Sequence, residues 1–194
     1  MKAADKGKLV IISGPSGAGK SSVVRALLEM CPLPLELSVS ATTRPPRPDE
    51  RDGVDYHFLT KEEFSRRRSQ GEFLECKEVY GRGDWYGTLN RTVTAGLREG
   101  KWIVLQIDVE GAIAVLKQYP EAITIFLHSG SLAELERRLR QRGTESETSL
   151  QRRLAVAQRE LAMADHYRHQ VINHTISVAA REICDVLKRY VVSA

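Results

Sequence analysis

Short apolar runs alternate along this chain with segments whose apolar residues recur at helical spacing. The runs that predict strands are 9–12, 35–40, 102–107, 123–127 and 171–172, of which 35–40 is the weakest. The segments with helical spacing are 20–29, 110–118, 131–142, 149–164 and 178–190. Strands that alternate with helices in this way are typical of an α/β fold, in which helices cover both faces of a parallel sheet.

The region from about residue 38 to residue 88 breaks this alternation. Short strands are predicted at 56–59 and 73–80, on either side of a helix near 61–69. Because the regular pattern resumes afterwards, we expect a mixed insertion into one core rather than a second independent domain. The 194 residues would then form a single domain, 1–194, with its core at 1–37 and 89–194.

Charge and composition narrow the classes of protein. The chain has 29 Lys and Arg against 25 Asp and Glu, a net charge of +4, which favours local anion sites over a nucleic-acid-binding surface. Its longest apolar run, Ala112–Leu116, is far too short to span a membrane, and no signal peptide is expected. Cys31, Cys76 and Cys184 show neither a disulfide framework nor a metal-ligand spacing, so we expect a protein of the reducing cytoplasm.

The clearest chemical signal follows the first predicted strand. It fits the phosphate-loop pattern G-x-x-x-x-G-K-[ST] and consists of Gly14, Pro15, Ser16, Gly17, Ala18, Gly19, Lys20 and Ser21. Glycines let backbone N–H groups approach phosphate oxygens, and the N-terminus of the following helix adds a positive field. Lys20 would neutralise the β- and γ-phosphates, and the Ser21 hydroxyl is a ligand for Mg²⁺.

Arginines beyond this loop suggest further phosphate contacts. Arg44 and Arg47 lie three residues apart on a proline-stiffened segment, and each can form a forked pair with a phosphate. Arg138, Arg142 and Arg153 lie on or beside a loop rich in Gly, Thr, Glu and Ser. Near a phosphate loop, such arginines can neutralise the charge of a phosphoryl group in transfer.

Taken in order, these segments resemble the guanylate kinase family, which phosphorylates GMP with ATP in purine nucleotide metabolism. The resemblance runs from Leu9 to Tyr190 and rests on 14–21, 38–47, 53–58, 73–75, 86–88 and 142–145. It implies a P-loop NTPase core, a mixed α/β GMP-binding flap inserted at about 38–88, and a small Arg-rich lid at about 142–149. It also implies a cytoplasmic phosphotransferase that uses Mg²⁺ with ATP and has ATP and GMP as partners, without nucleic acid or membrane.

The resemblance implies how the insertion would hold the GMP phosphate. Arg44 and Arg47 would bind its oxygens, helped by the hydroxyls of Tyr56 and Tyr86. Since the second pKa of a phosphate monoester is near 6, the attacking oxygen is mostly ionised at neutral pH, and no general base is needed. We therefore expect direct in-line transfer with no covalent enzyme intermediate.

The resemblance also implies how the guanine base would be read. Glu75 would accept hydrogen bonds from N1–H and the 2-amino group, while Ser40 and Thr88 would donate to O6. Asp108 would support the same edge and lie close to the metal. Adenine would present an acceptor to the Glu75 carboxylate, so selection for guanine can reach roughly 10⁴-fold.

On the ATP side, the implied roles extend to the lid. Arg138 and Arg153 would close over the transferring phosphoryl group, and with Lys20 and Arg44 they complete the expected catalytic set. Arg142 would bind on the ATP side, and Asn173 falls where the family approaches adenine.

Four positions depart from the family's pattern. Gln106 replaces an acid that is common two residues before Asp108, so a Walker-B role would depend on Asp108 alone. Glu110 stands where an amide is usual, and His174 where an acid is expected. The turn at 81–85 is two residues longer, which bears on the position of Tyr86. The relative use of GMP and dGMP, the oligomeric state and the effect of Gln106 stay open.

Three other functions compete with this interpretation. A monophosphate kinase with another base preference is disfavoured by Glu75, Ser40 and Thr88. A GTPase is disfavoured because the guanine motif N-K-x-D does not occur. A protein-binding module that has lost catalysis is disfavoured because Lys20 and Arg44 are intact.

Overall fold

The computed structural model describes residues 7–79, 83–141 and 147–191. The strands within these ranges are β1 Leu9–Ser13, β2 Leu35–Leu37, β3 Ala41–Thr42, β4 His57–Phe58, β5 Phe73–Val79, β6 Asp84–Leu89, β7 Trp102–Gln106, β8 Ile123–His128 and β9 His169–Ile172. The helices are α1 Lys20–Met30, α2 Lys61–Ser69, α3 Asn90–Arg98, α4 Val109–Leu116, α5 Leu132–Gln141, α6 Glu147–Leu161 and α7 Ile176–Lys188, with a 3₁₀ turn at Ala164–His166. None of the helices in the described ranges is long and apolar enough to cross a membrane.

The core is a parallel sheet in the order β2-β7-β1-β8-β9, covered on both faces. Successive residues of β1 alternate between these faces, because side chains alternate along a strand. Val10 and Ile12 pack against α1 and α7, whereas Leu9 and Ile11 pack with α3 and α4. The predicted fold class, a parallel sheet flanked by helices, is therefore confirmed.

The sheet order brings two functional segments together. β1 and β7 are parallel neighbours, with Ile12 opposite Gln106, so their carboxyl ends lie at the same edge. The phosphate loop leaves β1 at this edge, and Asp108 follows β7 there. The buried Ser13 hydroxyl donates to the Ile107 carbonyl at 3.0 Å and ties the two strand ends to each other. Ligands of open α/β sheets bind at this kind of edge.

Residues of the inserted region form a second sheet, in the order β4-β3-β6-β5. Its register places Glu75 opposite Thr88, and both Thr42 and Lys77 opposite Tyr86. Because side chains alternate along each strand, these residues share one face of the sheet. The short strand β3 and the antiparallel strand β6 were not predicted as separate elements. They supply the central pairings on which the face depends.

Helices α5 and α6 pack against each other beside the phosphate loop. The leucines at their contact are Leu135, Leu139, Leu150 and Leu154, all buried. α6 spans Glu147–Leu161, so it begins and ends slightly earlier than the predicted 149–164. Arg142 and residues 143–146, which include most of the expected lid, lie outside the described residues.

The cysteines require a correction. Cys31, at the end of α1, and Cys184, in α7, form a disulfide with a Cα–Cα distance of 5.7 Å, and Cys76 is free. The expectation that the cysteines are unpaired was wrong because 153 residues separate two positions that adjacent helices bring together. Cysteine usage thus gives no argument for a reducing compartment.

Candidate functional site

The phosphate loop is built on glycines that no other residue can replace without strain. Gly14 has φ +140° and Gly19 has φ +88°, in the region that favours glycine. A Cβ on Gly14 would lie 2.0 Å from the carbonyl oxygen of Leu127. A Cβ on Gly19 would lie 2.5 Å from Nδ2 of Asn173. The tight loop can form because Gly14 and Gly19 have no side chains. Its backbone N–H groups therefore have room to approach phosphate.

Lys20 and Ser21 open α1 directly after this loop. The Lys20 ammonium donates to the carbonyl oxygens of Gly14 and Pro15, the latter at 3.1 Å, so it lies over the loop. The Ser21 hydroxyl accepts a 2.9 Å hydrogen bond from Nε2 of Gln106, at the end of β7. The loop and the neighbouring strand are thus joined through the residue expected to bind Mg²⁺.

Asn173 supports the loop from within the protein. Its side chain is buried, and Nδ2 donates to the carbonyl oxygen of Ala18 at 2.8 Å. The backbone oxygen of Asn173 accepts a 2.8 Å hydrogen bond from Arg138, whose Nε is bound by Glu134 at 2.7 Å. A direct contact between Asn173 and adenine stays a prediction; the contact in the structure is a supporting one.

Arg153 reaches the loop from α6. Its guanidinium donates to the Ser16 hydroxyl at 3.1 Å. Arg138 and Arg153 thus lie on two packed helices beside the loop, and Arg138 is held by its contacts with Glu134 and Asn173. Their approach to a transferring phosphoryl group stays a prediction.

The residues expected to bind the GMP phosphate, here called the phosphate end of the insertion, are grouped around Arg44. Its Nε donates to the Tyr86 hydroxyl at 3.0 Å, and one terminal nitrogen donates to Glu50 at 2.9 Å. The guanidinium lies 5.5 Å from the centre of the Tyr56 ring, within the range of a cation–π contact. Arg47 is largely exposed, 3.9 Å from Glu50. The four predicted phosphate residues are therefore gathered at one place.

Glu50, which the sequence analysis missed, organises this end. Its second carboxylate oxygen accepts from the backbone N–H of Arg47 at 2.8 Å, so it binds both arginines. Burial opposes ionisation of Glu50, but the hydrogen bonds and positive charges of Arg44 and Arg47 together outweigh it and lower the pKa of the carboxyl group. For Arg44, burial also opposes charge, and the hydrogen bonds with Glu50 and Tyr86 raise the pKa above its usual value.

The residues expected to read the guanine base lie in an acidic cluster between the insertion and the core, here called the guanine end. Oε1 of Glu75 accepts a 2.7 Å hydrogen bond from the Thr88 hydroxyl. Burial raises the pKa of Glu75 above its usual value; Asp108 adds to this effect, whereas Thr88 and Lys77 oppose it. A Cβ on Gly111, in the first turn of α4, would lie 3.1 Å from Oε2 of Glu75. The missing side chain leaves room for the carboxylate.

Asp108 caps α4 and also contacts the insertion. Its Oδ1 accepts from the Gly111 N–H at 2.7 Å, and its Oδ2 lies 3.3 Å from the Lys77 ammonium. Lys77 also binds Glu110 at 2.8 Å. Lys77, on β5, thereby joins the inserted sheet to the core. Its alternate spacing with Glu75 on one strand was the sequence signal that could have identified it.

One more acid near the loop was missed. Glu160 lies on α6 seven residues after Arg153, a separation that places both on one helix face. Burial raises the pKa of its carboxyl group, and the charge of Lys20 opposes that shift.

Ser40 lies at the start of the inserted sheet, where its carbonyl accepts from the His57 N–H at 2.8 Å.

Comparison with known proteins agrees with this geometry. The guanylate kinase family model matches residues 6–190. A guanylate kinase of Rhodopirellula baltica is 56% identical over 185 residues, 95% of this chain and 88% of the relative. One from Rubrobacter xylanophilus is 45% identical and covers 96% of both chains. The crystal structure of guanylate kinase from Anaplasma phagocytophilum superposes with a TM-score of 0.81 at 30% identity, covering 98% of this chain and 89% of that one. The chain therefore belongs to the guanylate kinase family of nucleoside monophosphate kinases.

Proposed function

We propose that this protein transfers the γ-phosphoryl group of ATP to GMP, with dGMP as a second acceptor. The observation that carries the proposal is the edge where β1 and β7 end. There Gln106 contacts Ser21 of the phosphate loop, and Asp108 contacts Lys77 of the guanine end. A donor site and an acceptor site thus meet at one edge of the sheet.

The acceptor site fits guanosine monophosphate by its chemistry. Glu75 offers a carboxylate to the two donors of the guanine edge, with Thr88 and Ser40 as hydroxyl partners. Arg44 and Arg47 offer positive charge at the other end of the same sheet face. These roles grip the base and the phosphate and assign no residue to the ribose 2′-hydroxyl, which is why we expect dGMP to be accepted.

The donor site fits Mg²⁺ bound together with ATP. The Ser21 hydroxyl and the side-chain oxygen of Gln106 are neutral oxygen donors, which suit a cation that keeps several waters and binds phosphate oxygens. When bound, Mg²⁺ would neutralise charge on the β- and γ-phosphates. Asp108 lies nearby, and its carboxylate is engaged by Gly111 and Lys77.

Catalysis would then consist of positioning and charge neutralisation. Lys20 supplies a positive charge at the donor phosphates, while Arg44 orients the acceptor phosphate. Arg138 and Arg153 approach from α5 and α6, and the lid residue Arg142 completes the enclosure on the ATP side. No side chain has to accept the attacking proton, because the acceptor phosphate is already ionised at neutral pH. With ATP and GMP as its substrates, we place the reaction in the cytoplasm.

The test is ADP formation from MgATP with GMP, dGMP, AMP, UMP and dTMP measured in parallel, with Lys20→Ala as the blank. We expect turnover with the two guanine acceptors alone. Turnover with another base would overturn the assignment of Glu75. GMP binding without turnover would instead favour the protein-binding module.

A further inference from the structure

Gln106 lies at the proposed metal site, between the end of β7 and the phosphate loop. It is the last residue of β7, beside β1 in the parallel sheet and opposite Ile12. Its side chain is half-buried, and Nε2 donates to the Ser21 hydroxyl at 2.9 Å. This hydrogen bond joins the end of β7 to the start of α1, across 85 positions of sequence.

The carboxylate of the neighbouring Asp108 has other partners. One of its oxygens accepts from the Gly111 N–H at 2.7 Å, and the other accepts from the Lys77 ammonium at 3.3 Å. The first contact holds the N-terminus of α4, and the second holds the inserted sheet. A carboxylate engaged in this way is poorly placed to orient Ser21, so the side chain that contacts Ser21 from β7 is Gln106.

We propose that Gln106 is the positioning residue of the metal site, an inference that rests on the proposed use of MgATP. A hydroxyl oxygen has two lone pairs and one proton. The Gln106 amide occupies one lone pair of Ser21 and thereby fixes the direction of the other, which is left for Mg²⁺. The amide oxygen of Gln106 would then accept a hydrogen bond from a water molecule of the bound cation.

Gln106 also makes the proposed metal site less negative than a carboxylate at this position would. A neutral amide orients the Ser21 hydroxyl but adds no Coulombic attraction for a divalent cation. Its replacement by a carboxylate should therefore strengthen metal binding, and its replacement by an apolar side chain should weaken it. Residues that orient metal ligands typically change metal affinity by about 10- to 100-fold when mutated.

The test measures binding rather than turnover. Fluorescence anisotropy of a fluorescent, non-hydrolysable ATP analogue is followed while free Mg²⁺ is raised, for the wild type, Gln106→Leu and Gln106→Glu. Gln170→Leu is the matched control, since Gln170 is exposed on β9 and bonds to Asp165 away from the loop.

For Gln106→Leu, the Mg²⁺ concentration at half-saturation should rise by about tenfold or more. For Gln106→Glu it should fall several-fold, while binding in EDTA weakens because the new charge repels the phosphates. Equal Mg²⁺ dependence in all proteins, or a rise in both variants, would overturn the proposal. Thermal melting identifies a misfolded variant, and Gln106→Asn, too short to reach Ser21, then replaces it and should behave as Gln106→Leu. Because no acceptor is present, failure of GMP turnover would leave this test intact.

Discussion

The Thr88 hydroxyl donates a 2.7 Å hydrogen bond to Glu75 from the position directly opposite on the neighbouring strand. This contact fixes one oxygen of the carboxylate, while Oε2 faces the first turn of α4 near Gly111. The hydroxyl of Thr88 has a single proton to donate, and in this structure its hydrogen bond goes to Glu75. Donation from Thr88 to guanine O6 therefore stays a prediction that requires the hydroxyl to turn on binding.

GMP affinity should weaken in mild acid. Burial raises the pKa of Glu75, so its neutral form persists to a higher pH than in an ordinary carboxyl group. Guanine donors need the ionised form, and affinity is therefore full above the raised pKa and lost as pH falls through it. Calorimetric titration of GMP from pH 7.5 down to pH 4.5 measures this loss.

Protonation of the GMP phosphate near pH 6 contributes its own decrease. Glu75→Gln separates the two effects. The GMP phosphate still titrates in this variant, but the carboxyl group of Glu75 is gone. We expect weaker GMP binding by about 10- to 100-fold at neutral pH and a flatter profile below pH 6. Parallel profiles for the two proteins would remove Glu75 as the titrating group.

Glu50→Gln should raise the KM for GMP. The carboxylate holds the Arg44 guanidinium at 2.9 Å and caps the Arg47 N–H, so its loss releases both arginines from their places. We expect roughly a tenfold increase, since hydrogen bonds to charged groups contribute about 1.5–3 kcal/mol. The KM for ATP should stay unchanged. Steady-state kinetics checks this, with Glu62→Gln on α2 as an exposed control.

A decrease in the KM for GMP would have a different meaning. If Glu50 competed with the GMP phosphate for Arg44 instead of orienting it, Glu50→Gln would lower the KM for GMP. A lower KM would therefore contradict the positioning role.

Lys20→Ala should leave the fold intact and reduce kcat by at least about 10²-fold, because it removes a charge directed at the transferring phosphoryl group. GMP binding, which uses the insertion, should be unaffected. Circular dichroism, calorimetry with GMP and single-turnover kinetics measure these three properties, with Lys117→Ala as an exposed control. Normal turnover in Lys20→Ala would remove the phosphate-loop argument.

Reduction of the Cys31–Cys184 disulfide should lower stability. The bond closes a long loop between the first and last helices, and such bonds typically contribute about 2–4 kcal/mol. Thiol titration of the unfolded, unreduced protein should find the Cys76 thiol alone, and urea unfolding with reductant should show a lower midpoint. Cys76→Ser is the control. Three titratable thiols without reductant would show that the bond does not form in solution.

The sequence predicted the features whose signals are local. The phosphate loop is a continuous segment between a strand and a helix, and Arg44 and Glu75 stand in short family motifs. The parallel sheet followed from the alternation of strands with helices. These patterns need no knowledge of which strand lies beside which.

Features that depend on pairing between distant segments were missed. Glu50 acquires its role only when it folds back on Arg44, and Lys77 only when β5 lies beside α4. The disulfide has the same origin, because Cys31 and Cys184 meet only through the packing of α1 on α7. Strand β6 was overlooked because Gly87 and the preceding turn weaken its pattern, although its register fixes Thr88 opposite Glu75.

The most direct test of base selection compares GMP with inosine monophosphate, which differs only by lacking the 2-amino group. The value to measure is the ratio of kcat/KM for the two acceptors, in the wild type and in Glu75→Gln. If Glu75 reads N1–H and the 2-amino group together, the wild type should favour GMP by about 10- to 100-fold, and the ratio should collapse in the variant. Equal use of both acceptors by the wild type, or an unchanged ratio in Glu75→Gln, would contradict the account.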